Sequence, residues 1–199
     1  MIAVDVVQGS PEWFAARCGI PSASNFDKIV TPTGLPSKQA QKYLYQLAAE
    51  RVTGRTEEGY TNAAMERGKE TEAEARTLYE MLQDVKVSEV GVCYPDEKKQ
   101  IVASPDGLVG ADGLLEIKCP MAFASVGYIL EGVLPSDYIP QIQGQLFVTG
   151  RKWVDFLSYY AGLKPLIVRV KRDDKFLAIL DVELRKFCKE LDSIVEKIR

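Results

Sequence analysis

Three charged residues stand close together where Ser104-Pro105-Asp106-Gly107-Leu108 is followed, after a short turn, by Leu114-Leu115-Glu116-Ile117-Lys118-Cys119-Pro120. Glu116 and Lys118 are two apart, so on a strand they share one face, while Leu115 and Ile117 take the other, into a core. Asp106 lies just before the first strand of the pair and reaches the same end. Two carboxylates and one ammonium thereby converge on a buried sheet edge. Hard oxygen donors from an Asp and a Glu suit Mg²⁺, which takes octahedral oxygen coordination and keeps several waters. Beside a phosphodiester such an ion polarises the phosphoryl oxygen and lowers the pKa of water. Lys118 would orient that water or offset transition-state charge; it serves as a base only if burial or the metal depresses its pKa. The same charges also describe a salt bridge from Lys118 to Glu116 or Asp106 on a solvated strand face.

The elements that position these groups are legible as a hairpin. Residues 101–103 and 108–109 are apolar, Gly110-Ala111-Asp112-Gly113 turns the chain, and 114–118 runs back. An Asp-Gly step between apolar runs is a strong hairpin signal. Upstream, 85–94 alternates enough for one strand. Downstream, residues 138–148 read as a helix opened by Pro135-Ser136-Asp137, with Gln141 and Gln145 on one face at i,i+4 and Gln143 beside them. Neutral amides on a half-buried helix usually bond something specific. Strands follow at 153–161 and 166–170, the second alternating Val168 and Val170 with Arg169 and Lys171. The stretch 173–199 is a long amphipathic helix with Phe176, Leu180, Leu184, Phe187, Leu191 and Ile194 on one stripe.

The N-terminal half reads as helices. Ser10-Pro11-Glu12 is a start signal, with Ser as N-cap, Pro at the first position and Glu in the first turn. That short helix carries Trp13, Phe14 and Arg17 and stops at Gly19. A second spans 23–30, with Ser24 in its first turn. Hydroxyls at a helix start near an arginine suit a phosphate, although plain capping with a surface arginine is the commoner arrangement. A loop at 31–37 leads to a helix over 39–52, with Tyr43, Leu44 and Leu47 as its apolar face, and 54–60 is polar and turn-like. A long helix is expected over 62–82. Met65, Ala73, Ala75, Leu78, Tyr79 and Leu82 supply its apolar positions; Glu66, Lys69, Glu70 and Glu74 supply the wet side. On pattern alone Glu72 is one acid among several.

Composition narrows the chemistry further. The chain of 199 residues contains no histidine, which removes Ser-His-Asp triads, Cys-His nucleophiles and His-ligated zinc. Acid–base and metal chemistry must run on carboxylates and lysine. The length suits a single domain over 1–199 with a sizeable core. A net charge of −3 argues against a uniformly basic nucleic-acid surface and leaves room only for a local basic channel. No apolar run approaches the roughly 20 residues a membrane span needs, and the N-terminus has no signal-peptide pattern. Cys18, Cys93, Cys119 and Cys188 show no metal spacing and read as buried thiols of a reducing cytoplasm.

Pro105-Asp106 with Glu116-Ile117-Lys118 resembles the PD-(D/E)xK nuclease signature. The longer string, Ser-Pro-Asp-Gly-Leu, a turn, then Leu-Glu-Ile-Lys-Cys-Pro, resembles the phage lambda exonuclease family, the YqaJ-type viral recombinase nucleases. Further matches are the Trp-x-x-x-Arg-x-Gly-Ile-x-x-x-Ser string from Trp13 to Ser24, Arg-Gly-Lys-x-x-Glu-x-x-Ala-Arg at 67–76, and Tyr-x-x-Gln-x-Gln at 138–143. The resemblance implies an α/β fold: a restriction-endonuclease-like core with a central mixed sheet flanked by helices and an N-terminal helical elaboration. It implies a Mg²⁺-dependent 5′-to-3′ exonuclease on double-stranded DNA ends, with Mn²⁺ as a substitute and two ions per site. Asp106, Glu116 and the Ile117 carbonyl would hold metal, Lys118 would assist the attacking water, and Glu72 and Gln141 would complete the site. Arg17 and Ser24 would hold the 5′-phosphate. A homotrimeric ring and a single-strand annealing recombinase partner, in a bacterial cytoplasm, also follow from the resemblance. The rivals are a structure-specific or restriction-type endonuclease, an iron–sulfur nuclease branch that needs a cysteine cluster where Cys188 stands alone, and a non-catalytic DNA-binding protein.

Overall fold

The computed structural model describes residues 1–56 and 63–199, with side chains described for 1–56 and 71–199. The turn expected within 57–60, the helix start at residue 62, and the side chains of Met65, Glu66, Arg67, Lys69 and Glu70 lie outside the described residues.

Five strands form a mixed sheet in the order β2 (Val87–Ser88), β4 (Gly107–Val109), β5 (Gly113–Lys118), β6 (Trp153–Ser158) and β7 (Leu166–Lys171). Neighbours run antiparallel except β5 and β6, which are parallel. A parallel pair needs a crossover, and here α4 (Ala122–Glu131) and α5 (Ile139–Thr149) supply it. The sheet is covered on both faces. On one, Ile142 and Leu146 of α5 pack with Leu114, Val154 and Phe156. On the other, Ala75 and Tyr79 of α3 (Ala63–Gln83) pack with Leu115, Ile117 and Leu157. The period-2 reading of β5 therefore holds: Leu114 and Glu116 face α5, and Leu115 and Ile117 face α3.

A second layer leans on the back of α5. The 3-10 helix Ala23–Lys28 seats Phe26 against Gly144, where any Cβ would run into the Phe26 ring. Behind it, α2 (Ala40–Thr53) and α6 (Asp174–Ile198) bury Tyr43, Leu44 and Leu47 with Leu180, Leu184, Phe187 and Leu191. The apolar stripe read from 176 to 191 is thus the packing face of α6. Asp173 caps it, accepting from Lys175 N and Phe176 N. At the other end of the chain, Ser10 caps α1 (Pro11–Arg17), accepting from Trp13 N.

Two expectations are corrected, and one helix was missed. The stretch 85–94 is not one strand. It splits into β2, on the main sheet, and β3 (Val92–Tyr94), which pairs with β1 (Ile2–Val4) in a separate two-stranded sheet. The break falls at residues 89–91, where the backbone of Val6 passes so close to Gly91 that no Cβ would fit. The expected helix over 23–30 is a 3-10 turn ending at Lys28. And α4 goes unpredicted between Pro120 and Pro135.

Candidate active site

The register of the hairpin explains why Asp106 and Glu116 meet. Leu108 pairs with Leu114 and Gly107 with Leu115, so one further step would set Asp106 across from Glu116. Directly opposed residues point to one face. The ladder stops there because Pro105, next in line, has no N–H to donate. The Asp106 side chain takes over: its Oδ2 accepts from Ile117 N at 2.6 Å. In a strand the N–H and C=O of one residue face the same neighbour. The Ile117 carbonyl therefore opens toward the same edge as Asp106.

Glu116 is 2% exposed, and its carboxylate is ringed by donors. Lys118 Nζ and Gln141 Nε2 each donate to Oε1 at 2.6 Å, and Gln145 Nε2 donates to Oε2 at 2.5 Å. The i,i+4 spacing of the two glutamines on α5 delivers both amides to one carboxylate. Gln143 faces away and bonds backbone, donating to Lys171 O and accepting from Asp173 N. The Lys118 ammonium also lies 5.4 Å from the Tyr138 ring centroid.

The electrostatics follow from this crowding. Burial, then the charges of Glu116 and Glu72, push the Asp106 carboxyl well above the usual range, against Lys118 and the Ile117 N–H. Glu72 shares a helix face with Ala75 and Tyr79 and so points to this end of the sheet. Burial raises its carboxyl, Arg76 opposes that, and Glu116 adds to it; Arg76 Nη2 lies 2.8 Å from Glu72. Burial by itself would lower Lys118, but Glu116, Asp106 and the hydrogen bond to Glu116 carry it well above the ordinary lysine value. Its neighbours thus favour the ammonium form of Lys118 in the metal-free site. All of Glu72, Asp106, Glu116, Ile117, Lys118 and Gln141 are brought to one end of β5.

Excess negative charge on hard oxygens, with one ammonium to offset it, fits a hard divalent cation. Among the described residues no three His, Cys, Asp or Glu side chains form a ready-made cage. The donors that fit are two carboxylates and the Ile117 carbonyl, which leaves positions for water or phosphate.

Arg17 and Ser24 form a second cluster. Arg17 Nη2 donates to Ser24 Oγ at 3.3 Å, and Ser22 Oγ lies 3.0 Å from Ser24 Oγ. The guanidinium sits 4.0 Å from the Trp13 ring centroid. Ser104 also belongs here, which sequence reasoning missed: its Oγ accepts from Arg17 Nη1 at 3.0 Å and from Trp13 Nε1 at 3.1 Å. Its only signal was its place two residues before Asp106. That spacing makes loop 104–106 the physical link between the arginine cluster and the carboxylates. Gln8 pins the loop through Pro105 O at 3.1 Å.

A mixed sheet with helices on both faces, carrying paired carboxylates and a lysine at the end of one hairpin, defines a nuclease with a restriction-endonuclease-like core. The chain belongs to the YqaJ-like viral recombinase family, whose domain model matches residues 12–152. It is similar to the alkaline exonuclease LHK-Exo from Laribacter hongkongensis, at 37% identity and a TM-score of 0.86, over 95% of this chain and 96% of that one. LHK-Exo is also known in complex with dAMP, with the same identity and coverage. A phage related exonuclease from Haemophilus somnus 129PT shares the fold, at 14% identity and a TM-score of 0.68, over 90% of this chain and 96% of that one. No curated protein matches the chain in sequence. No described helix is long and apolar enough to cross a membrane.

Proposed function

We propose that residues 1–199 act as one Mg²⁺-dependent exonuclease domain that digests one strand of duplex DNA from its 5′ end, leaving single strands for recombination by annealing. The observation that carries this reading is loop 104–106, with Ser104 on Arg17 at one end and Asp106 on the Ile117 N–H at the other. An anion held by Arg17, Ser24 and Ser104 then lies next door to the carboxylates. A terminal phosphate is the anion that an exonuclease must find. The dAMP complex of LHK-Exo, a nucleotide monophosphate on a relative, supports it.

In this reading Asp106, Glu116 and the Ile117 carbonyl would hold Mg²⁺, or Mn²⁺ in its place, with room for one or two ions. When bound, the metal supplies Lewis-acid polarisation of the phosphoryl group and acidifies water. Lys118, held as an ammonium, offsets charge on the scissile phosphate and orients the attacking water. Gln141 presents its amide at the mouth of the site. Glu72 adds a carboxylate from the α3 side. Arg17 offers its fork to the 5′-phosphate as charge-assisted hydrogen bonds, and Ser24 and Ser104 add hydroxyl donors. A homotrimeric ring around DNA in a bacterial cytoplasm, working with a single-strand annealing recombinase, suits a chain of net charge −3, since only the channel need be basic.

The test is digestion of end-labelled linear duplex beside closed circular duplex, with Mg²⁺ and with chelator. The expected result is Mg²⁺-dependent loss of the 5′ label as mononucleotide and an intact circle. Cleavage of the closed circle would replace this reading with an endonuclease.

A further inference from the structure

The two oxygens of Glu116 are held from different sides. Oε1 accepts from Lys118 and Gln141, whose side chains are partly exposed. Among the described residues Oε2 accepts from the interior alone, from Gln145, which is 1% exposed. The other end of the Gln145 amide is anomalous. Its Oε1 is buried and accepts no hydrogen bond among the described residues. A buried amide oxygen without a donor is destabilising. Turning the amide over would aim that oxygen at a carboxylate, which is worse. The fold thus tolerates an orphaned acceptor in order to keep one N–H on Glu116.

Gln143 shows what a purely structural glutamine looks like on the same helix. Both of its amide ends close on backbone groups and tie α5 to the start of α6. Gln145 makes no such tie. Its side chain reaches Glu116 and stops.

The terminal torsion of a glutamate is broad, so β5 fixes where Glu116 starts but not the plane of its carboxylate. Lys118 and Gln141 cannot fix that plane during turnover if they also serve phosphate and water. We infer that Gln145 is a positioning residue: it locks the Glu116 carboxylate from the interior, so that the opposite oxygen stays presented to the open site. The inference rests on the proposal that Glu116 is a metal ligand. Partners of this kind, behind a ligand, orient it, and their loss typically weakens metal binding or activity by roughly ten- to a hundredfold.

The experiment compares Gln145→Met, Gln143→Met and Glu116→Gln with the wild-type chain. Mn²⁺ binding to the metal-free protein is measured by paramagnetic resonance, and melting is followed in chelator. Gln145→Met should weaken Mn²⁺ binding by about ten- to a hundredfold with little change in melting, since it also removes the orphaned oxygen. Gln143→Met should lower melting and leave Mn²⁺ affinity in place. If Gln145→Met does not fold, Gln145→Asn withdraws the amide by one carbon and should weaken Mn²⁺ binding in the same direction. Wild-type affinity in the Gln145 variant, or equal weakening in both glutamine variants, would overturn the inference. If Glu116→Gln also binds Mn²⁺ normally, the metal-ligand reading itself fails. If only Glu116→Gln loses binding, the fault lies with Gln145 alone.

Discussion

Removing the Asp106 charge should make the metal-free protein more stable while ending its chemistry. Asp106 faces Glu116 across the broken end of the ladder and feels Glu72 as well, and burial heads the causes that raise its carboxyl. Residues opposed on neighbouring strands have Cβ atoms about 5 Å apart, and the two carboxylates are taken at that separation. At an effective dielectric near 20 they repel by roughly 3 kcal/mol. Lys118 offsets part of this, which leaves about 1–2 kcal/mol, the size of gain often found on neutralising a functional-site residue. For a chain of this length that is roughly 2–8 °C in melting temperature. In Asp106→Asn the amide oxygen can still accept from Ile117 N, so the loop keeps its anchor.

The pH dependence has a definite sign. The folded carboxyl is raised above its unfolded value of about 3.9, so the stability tied to its proton is fully present below that value. It is lost as pH rises through the folded pKa, because the unfolded chain ionises first. In chelator at neutral pH, Asp106→Asn should therefore melt above wild type, and the gap should close on acidification. Added Mg²⁺ should raise wild type and leave the variant nearly unmoved. Differential scanning calorimetry across pH, with and without Mg²⁺, reads all three. A variant that melts below wild type in chelator, or a gap indifferent to pH, would refute the claim that Asp106 stands in uncompensated negative charge.

Arg17→Ala should slow digestion of 5′-phosphorylated duplex by about ten- to a hundredfold, the roughly 1.5–3 kcal/mol of a charge-assisted contact, and barely affect 5′-hydroxyl duplex. Equal slowing of both ends would make Arg17 a general DNA contact or a structural residue. Lys118→Met should cut turnover at saturating Mg²⁺ and leave Mn²⁺ affinity within a few-fold; unchanged turnover would return Lys118 to the role of a salt-bridge partner. Arg169→Met should destabilise the fold without touching the site. Arg169 forks onto Asp155, which is 1% exposed and otherwise bonded to Tyr79. Because Arg169 is half exposed, solvent screens the loss to about 1–3 kcal/mol. Thermal melts check it, and loss of activity in a fully folded Arg169→Met protein would contradict the assignment.

The parts of this molecule that were legible in sequence are those fixed by neighbours along the chain. Glu116 and Lys118 share a face because strands have a period of two, and Gln141 and Gln145 share one because helices return at i,i+4. The turn was legible too, although it is Gly110-Ala111-Asp112, with Gly110 at positive φ and Gly113 already paired with Val109 in β5. The illegible parts depend on segments far away. Residues 85–94 alternate like one strand, and the two halves part because they pair with distant segments, β2 with β4 and β3 with β1. Helix α4 has no polar stripe to announce it: Phe123, Val126 and Leu130 are apolar and yet exposed, so neither amphipathic period nor burial marks it. Ser104 carried no signal of its own, since what it touches, Trp13 and Arg17, lies about ninety positions earlier.

Ser104 also decides how the two clusters can cooperate. Three consecutive residues, Ser104-Pro105-Asp106, connect the arginine cluster to the carboxylates, and two extended steps of chain span at most about 7 Å. Pro105 restricts the backbone, and Gln8 bonds its carbonyl, so the span is rigid. On the proposed reading this short strut sets how far a bound 5′-phosphate lies from the bond to be cut, and hence how much is released at each step. On that reading the loop's length would favour a mononucleotide product, and inserting one glycine between Ser104 and Pro105 should blur that product toward dinucleotides, which chromatography of the digest would resolve. An unchanged product pattern in a folded insertion variant would mean that the loop does not set the measure.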